Sequence, residues 1–138
     1  MARRVYFAFD YKDVFAVNQI RRAGEFIDVA VAGFTDASQW EELKKKDDAV
    51  IRAAIDSAVQ RTTVTVACVG ERTAARRWVK YELLASRDRG NGLLGVYLPG
   101  ESGHPKPQIL ADEGAPLFAW NHARFADWVE AAAARAGH

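Results

Sequence analysis

The 138-residue chain has a single cysteine, Cys68. One thiol makes no intrachain disulfide and leaves no second thiol for a zinc site. Its place inside the apolar run VTVACV implies a buried, inert sulfur and a reducing compartment. Long apolar runs are also missing. No segment approaches the ~20 residues of a membrane span, and the apolar stretch in MARRVYFAFDYKD, about five residues, is short for a signal peptide. A cytoplasmic protein with no membrane partner is expected. Charge of one sign is not in excess: 19 Lys and Arg against 18 Asp and Glu give a net +1. That excludes a nonspecific nucleic-acid binder. The three histidines, His104, His122 and His138, are scattered through the last third and form no metal triad, so no metal is expected. There is no GxGxxG, no Walker sequence, no nucleophile elbow and no internal repeat. Proline is absent before Pro99.

What is present fills one domain with a proper core: 49% of residues are apolar and 27% charged. Val5–Phe9 is a continuous apolar run, suited to a strand buried on both faces. VFAVNQIRRAG follows with helical spacing and a stop at Gly24. Phe26–Phe34 reads as a second strand, and Ser38-Gln39-Trp40-Glu41 as a capping box opening a short helix. Lys44–Lys46 reads as a solvated charge run. Asp47–Gln60 keeps Val50, Ile51, Ala54, Ile55, Ala58 and Val59 at helical spacing. Thr63–Val69 is the best strand in the chain. Thr73 is placed to cap the next helix, which Gly90-Asn91-Gly92 terminates. Leu93–Leu98 is a strand. Residues 99–116 hold all four prolines and read as a long surface loop. Pro116–Trp120 is a short last strand, and His122–Ala136 a final helix with Phe125, Trp128 and Val129 inward.

Strands alternating with helices imply a parallel sheet. About five strands in one domain, residues 1–138, give a flavodoxin-like doubly wound α/β fold. Its ligands sit beyond the carboxyl ends of the strands, which directs attention to Asp10-Tyr11, Phe34-Thr35-Asp36 and Gly70-Glu71. FDYKD is not the Ser/Thr/Gly-rich phosphate loop of a flavin-binding flavodoxin. A phosphate receiver would need paired acids after the first strand, an Asp after the third and a Lys after the fifth. Asp10 meets half of the first requirement and nothing meets the others.

One residue breaks its pattern. On the helix containing RRWVKYELLASRDRG, Ala75, Trp78, Val79 and Ala85 share an apolar face, and Glu82 lies inside it between Trp78 and Ser86. A buried charge costs several kcal/mol unless compensated. Glu82 is either paired, with Arg89 the nearest candidate on this helix, or chemically employed. The neighbouring candidates have plain alternatives too. Trp78, Tyr11 and Trp40 can be packing, Asp10 can cap the following helix, and Asp36 and Ser38 can be N-caps.

VYFAFDYKD resembles the first strand and following loop of TIR domains. Trp78-Val79-Lys80-Tyr81-Glu82-Leu83 resembles their Trp-x-x-x-Glu-hydrophobic pattern. With GFTDASQWEELKKKDDAVIRAAID, the sequence is similar to the TIR-like proteins of the Thoeris antiphage system, from about Arg3 to Leu98. The resemblance implies an NAD glycohydrolase or cyclase. It would release nicotinamide and make ADP-ribose or a cyclic isomer as a signal for a separate effector in antiviral defence. NAD is the substrate, and no cofactor is implied. Assembly of like chains on activation is implied as well. Carried over by position, Glu82 is the catalytic carboxylate and Trp78 lines the nicotinamide-ribose pocket. Phe9, Asp10 and Tyr11 border the nucleotide, and Asp36 falls in the loop before the second helix. That loop lacks the usual Arg/Asp-Pro-Gly. A non-catalytic TIR-like interaction module and a nucleoside deoxyribosyltransferase-like enzyme are the alternatives.

The chemistry suits these residues. Breaking a nicotinamide–ribose bond develops an oxocarbenium-like sugar, as in glycoside hydrolysis. Nicotinamide leaves neutral because its ring starts cationic, so no general acid is needed. One carboxylate can stabilise the cationic sugar. An aromatic ring at (i, i+4), about 5–6 Å away on the same helix face, can stack on the pyridinium.

Overall fold

Arg4–Ala8 (β1) is sealed on both faces, with every residue after Arg4 buried, as a central parallel strand requires. The computed structural model describes residues 3–23, 27–28 and 45–138, with backbone alone for 27–28. A 3-10 turn, Tyr11–Asp13, leads into Val14–Arg21 (α1), which buries Val14, Val17 and Ile20 at helical spacing. Ile27–Asp28 (β2) is followed in the described residues by Asp48–Gln60 (α2) and Val64–Val69 (β3), all of whose residues are buried. After the 3-10 turn Thr73–Ala75 come Arg77–Arg89 (α3) and Gly92–Tyr97 (β4). Gln108–Asp112 (α4), Leu117–Phe118 (β5) and Phe125–Arg135 (α5) complete the order. Among the described residues no helix is long and apolar enough to cross a membrane.

The five strands are parallel in the order β2-β1-β3-β4-β5. This is the doubly wound order of flavodoxin-like folds, with its switch point between β1 and β3. Strand alternation decides which helix each side chain meets. Phe7 packs against Phe125 of α5 and lies near the Arg21 guanidinium of α1, so α1 and α5 share one face. Tyr6 and Thr65 point the other way, to Glu82 and Ser86 of α3. There α2 packs on α3, and Leu110 of α4 closes over Gly95.

The first, third, fourth and fifth expected strands fall within two residues of the observed ones, and three expectations need correction. Thr73 does not cap α3, whose N-cap is Arg76. Its hydroxyl accepts from the Gly70 N–H and lies within reach of the Cys68 carbonyl, closing the turn after β3. Residues 99–116 are not all loop. They contain α4, pinned by the fully buried Leu110, and a five-residue helix is too short to display a period. The final helix starts at Phe125, not His122, after a turn in which Asn121 Oδ1 accepts from the Ala123 and Arg124 N–H groups. Asp36, Ser38, Trp40, Gly24 and residues 29–34 of the expected second strand lie outside the described residues.

One close approach makes a testable claim about this packing. A Cβ on Gly92 would sit 2.3 Å from the Ala132 carbonyl oxygen and 2.5 Å from its carbon. Both are backbone atoms of α5 and cannot rotate away. Gly92→Ala is expected to cost about 2–3 kcal/mol by overpacking, read as a lower melting temperature. An unchanged melting temperature would mean that α5 does not rest on the start of β4.

Candidate active site

The carboxyl ends of β1 and β3 flank the switch point, where doubly wound folds hold their ligands, and charged side chains crowd it. Asp10 is buried and caps the 3-10 turn through Lys12 N–H, 3.3 Å from Oδ1. Its other oxygen lies 3.2 Å from Arg76 Nε, off the N–H direction, so the contact is an ion pair rather than a hydrogen bond. Asp10 therefore caps its own turn and also ties it to the start of α3. Asp13 presses against Gly70, where a Cβ would meet its carboxylate at 2.5 Å. Burial, then Asp10 and Glu101, push the Asp13 carboxyl above its ordinary range, while His104 and Arg76 draw it back. His104 Nε2 stands 2.7 Å from Glu101 on the same rim.

Phe9 and Tyr11 pack on each other, with ring centroids 4.7 Å apart. The Arg21 guanidinium covers the Phe9 ring at 4.8 Å. That places Phe9 on the α1 side of the sheet, opposite Glu82.

Glu82 lies deeper. It sits six residues beyond Arg76, about 9 Å further along a helix rising 1.5 Å per residue. The buried stripe of α3 is Val79, Glu82, Leu83 and Ser86; Ala75 precedes the helix. The Glu82 side chain reaches β1, where the Tyr6 hydroxyl donates to Oε2. Arg89 is not its partner and instead approaches the Gln60 carbonyl. Glu82 is 5% exposed and Tyr6 1%. Burial pushes the Glu82 carboxyl from 4.5 up to about 8, against the opposing effects of the Tyr6 hydrogen bond and the Arg21 charge. Burial first, then the Glu82 and Tyr11 charges, push the Tyr6 phenol well above its ordinary value.

Trp78, one turn before Glu82, is half-buried. Its ring meets Tyr81 edge-on at 5.8 Å, and the Arg77 guanidinium lies 4.6 Å from it. Tyr81 in turn donates to Asp56 of α2. Two cavities lined by described residues lie elsewhere. One of about 510 Å³ opens at the start of β4, and one of about 230 Å³ lies between α3 and α4. Among the described residues no group of three or more His, Cys, Asp or Glu side chains is placed to hold a metal ion.

Sequence reasoning selected Glu82, Trp78, Phe9, Asp10 and Tyr11 but not Tyr6, Asp13, Arg21 or Arg76. Asp13 and Arg76 adjoin chosen residues in sequence. Tyr6 had one usable signal: of the β1 residues between Val5 and Phe9 it alone carries a polar group.

Residues 6–103 match the family described as Thoeris protein ThsB, TIR-like domain. The chain is also similar to a protein of Bacillus cereus (strain MSX-D12) named "Putative cyclic ADP-D-ribose synthase ThsB1". The two are 39% identical over 101 residues, 71% of this chain and 53% of that protein. The chain thus spans about half the length of the curated relative it matches.

Proposed function

The chain belongs to the TIR-like domain family of the Thoeris protein ThsB, and from that premise we propose that it cleaves the nicotinamide–ribose bond of NAD and forms cyclic ADP-ribose as a defence signal. The bond between the ring nitrogen and the ribose anomeric carbon breaks, and its electron pair leaves with neutral nicotinamide. Glu82 is the carboxylate that stabilises the oxocarbenium-like sugar. Trp78 offers a ring to the pyridinium, and Asp10 and Tyr11 border the nucleotide. Phe9 packs beneath Arg21 and shapes that loop from behind, and Asp36 remains a proposed contact from the loop before the second helix. A nucleophile within the substrate itself then captures the sugar, so the protein folds the substrate and excludes water.

The observation that carries this reading is the buried Glu82, which the Tyr6 phenol holds and which forms no salt bridge among the described residues. A structural ion pair would compensate the charge. Burial favours its protonated form, and a positive partner, the pyridinium and then the sugar, favours its ionisation where the chemistry needs it. The partners follow from the same reading: NAD, an effector reached through the nucleotide product, and further copies of this chain. Phe15 on α1, 80% exposed, and Val50 on α2, 49% exposed, are apolar side chains available to such an assembly.

The test is incubation with NAD across a wide range of protein concentration, followed by mass analysis of the nucleotides. Nicotinamide release with a cyclic product is expected, with specific activity rising as the chains associate. Absence of release at every concentration would overturn the enzymatic reading in favour of the interaction module. Specific activity that is constant across the association range would remove assembly from it.

A further inference from the structure

We propose that Tyr6 is the positioning residue of the Glu82 carboxylate, fixing its Oε2 from the middle of the sheet so that the other oxygen is aimed at the sugar. The inference rests on the NAD-cleaving reading and adds to it a residue outside the Trp-x-x-x-Glu pattern. The geometry is specific. Tyr6 belongs to β1, which is paired on both sides, and stands in register with Thr65 of β3. Its backbone cannot shift without disturbing two ladders. Its ring is sealed in the core, and its hydroxyl meets Oε2. The helix that carries Glu82 is fixed at the same level by Ser86, whose hydroxyl contacts the Thr65 hydroxyl at 2.7 Å and donates to the Glu82 carbonyl.

Packing does not require this pair. A phenylalanine and a leucine at the two positions would fill the space without desolvating a hydroxyl and a carboxyl. What the phenol adds is direction and charge control. A hydrogen bond to a carboxylate is stronger than one to the protonated acid, so the donor favours the ionised form. The Tyr6 phenol is held neutral, and so remains a donor at any working pH. Among the described residues the other groups acting here are Arg21 from α1, which favours ionised Glu82, and Tyr11, which acts on Tyr6. Asp56 of α2 is engaged by Tyr81, whose ring the Arg52 guanidinium approaches, and β3 contributes the uncharged Thr65.

Tyr6→Phe tests this with little risk to the fold, since it removes one oxygen. The Glu82 carboxyl is titrated by carbon NMR on glutamate-labelled protein, alongside the pH profile of kcat/KM for NAD. Both inflections are expected to move upward by about one pH unit, the size of one charge-assisted hydrogen bond. Activity near neutral pH then falls about tenfold, with KM little changed at high pH, where both proteins are ionised. In a Glu82→Gln background, Tyr6→Phe is expected to change turnover by less than twofold, because Tyr6 acts through Glu82. An unmoved carboxyl titration overturns the proposal, as does an equal loss of activity at every pH together with a lower melting temperature. So does a further large loss in the Glu82→Gln background. If the wild type releases no nicotinamide but the titration moves as stated, the hold on Glu82 stands and the NAD reading falls. NAD cleavage with an unmoved titration gives the opposite result.

Discussion

Glu82→Gln is expected to lower NAD turnover by ~100-fold or more while leaving NAD binding within a few-fold of the wild type. The size is that of deleting a principal electrostatic stabiliser in an enclosed site. The split follows from timing: the sugar carries little extra charge before bond breaking, so the carboxylate contributes mainly to the transition state. The competing account, a structural Glu82–Arg89 pair, would predict a loss of ~3–5 kcal/mol in stability with chemistry intact in whatever folds. The observed partner, the Tyr6 phenol, removes the basis for that loss. Glutamine keeps the volume and can accept from the same hydroxyl, so the variant holds its stability near neutral pH and gains above about pH 8, where the wild-type carboxyl is ionised. Melting temperature and nicotinamide release measured on one preparation check both halves. A folded, fully active variant ends the catalytic claim, and an unfolded one makes Glu82 structural.

Much of the fold was legible because the strands carry their own signal. VYFAF and TVTVACV are short, apolar and β-branched or aromatic, and the structure buries them on both faces as β1 and β3. Helix spacing placed α2 and α5 for the same reason. The α4 segment was hidden because a single side chain, Leu110, holds it, and one residue has no periodicity. Thr73 misled because a threonine ahead of a helix has competing local partners. Here the Gly70 N–H and the Cys68 carbonyl claimed its hydroxyl.

The site was legible only along the helix. Glu82 stood out as a charge on an apolar face, and the structure buries it. Helix spacing relates only residues a turn or two apart, such as Glu82 and Arg89. The actual partner is 76 residues distant in sequence, on a strand beneath the helix. Strand alternation narrows the choice to Tyr6 and Ala8 or to Val5, Phe7 and Phe9. It does not say which set faces α3, because that depends on the handedness of the crossovers and the register of the sheet. Phe9 shows the same limit. Its position after β1 suggested the nucleotide, yet its ring packs on the α1 side under Arg21.

The wild-type protein is expected to lose stability as pH rises from about 6 to 9, and Glu82→Gln is expected to abolish most of that loss. The carboxyl titrates at about 8 in the folded chain against 4.5 for the free side chain. Between those values the folded state holds a proton that the unfolded chain releases. The stabilising contribution of this proton is therefore complete below about 4.5 and is lost as pH rises through about 8. At ~1.4 kcal/mol per pH unit the whole interval amounts to roughly 5 kcal/mol, comparable to the stability of many domains. From pH 6 upward about 3 kcal/mol of it remains to be lost, or ~10 °C in melting temperature for a domain of this size. Asp13, also raised, has the same sign, but its contribution starts to be lost from a lower pH and it is partly exposed. The Arg3–Glu130 pair, which lowers Glu130, acts oppositely on the solvent-exposed surface and is worth little there. On the NAD-cleaving reading the bound pyridinium would lie near the carboxylate, so the stabilising effect of NAD is expected to grow with pH as the wild type alone becomes less stable. Melting curves of both proteins at pH 6 and pH 9, with and without NAD, separate these effects. Parallel curves for the wild type and Glu82→Gln would show that the carboxyl does not hold its proton in the folded state, and the argument from its burial would fall.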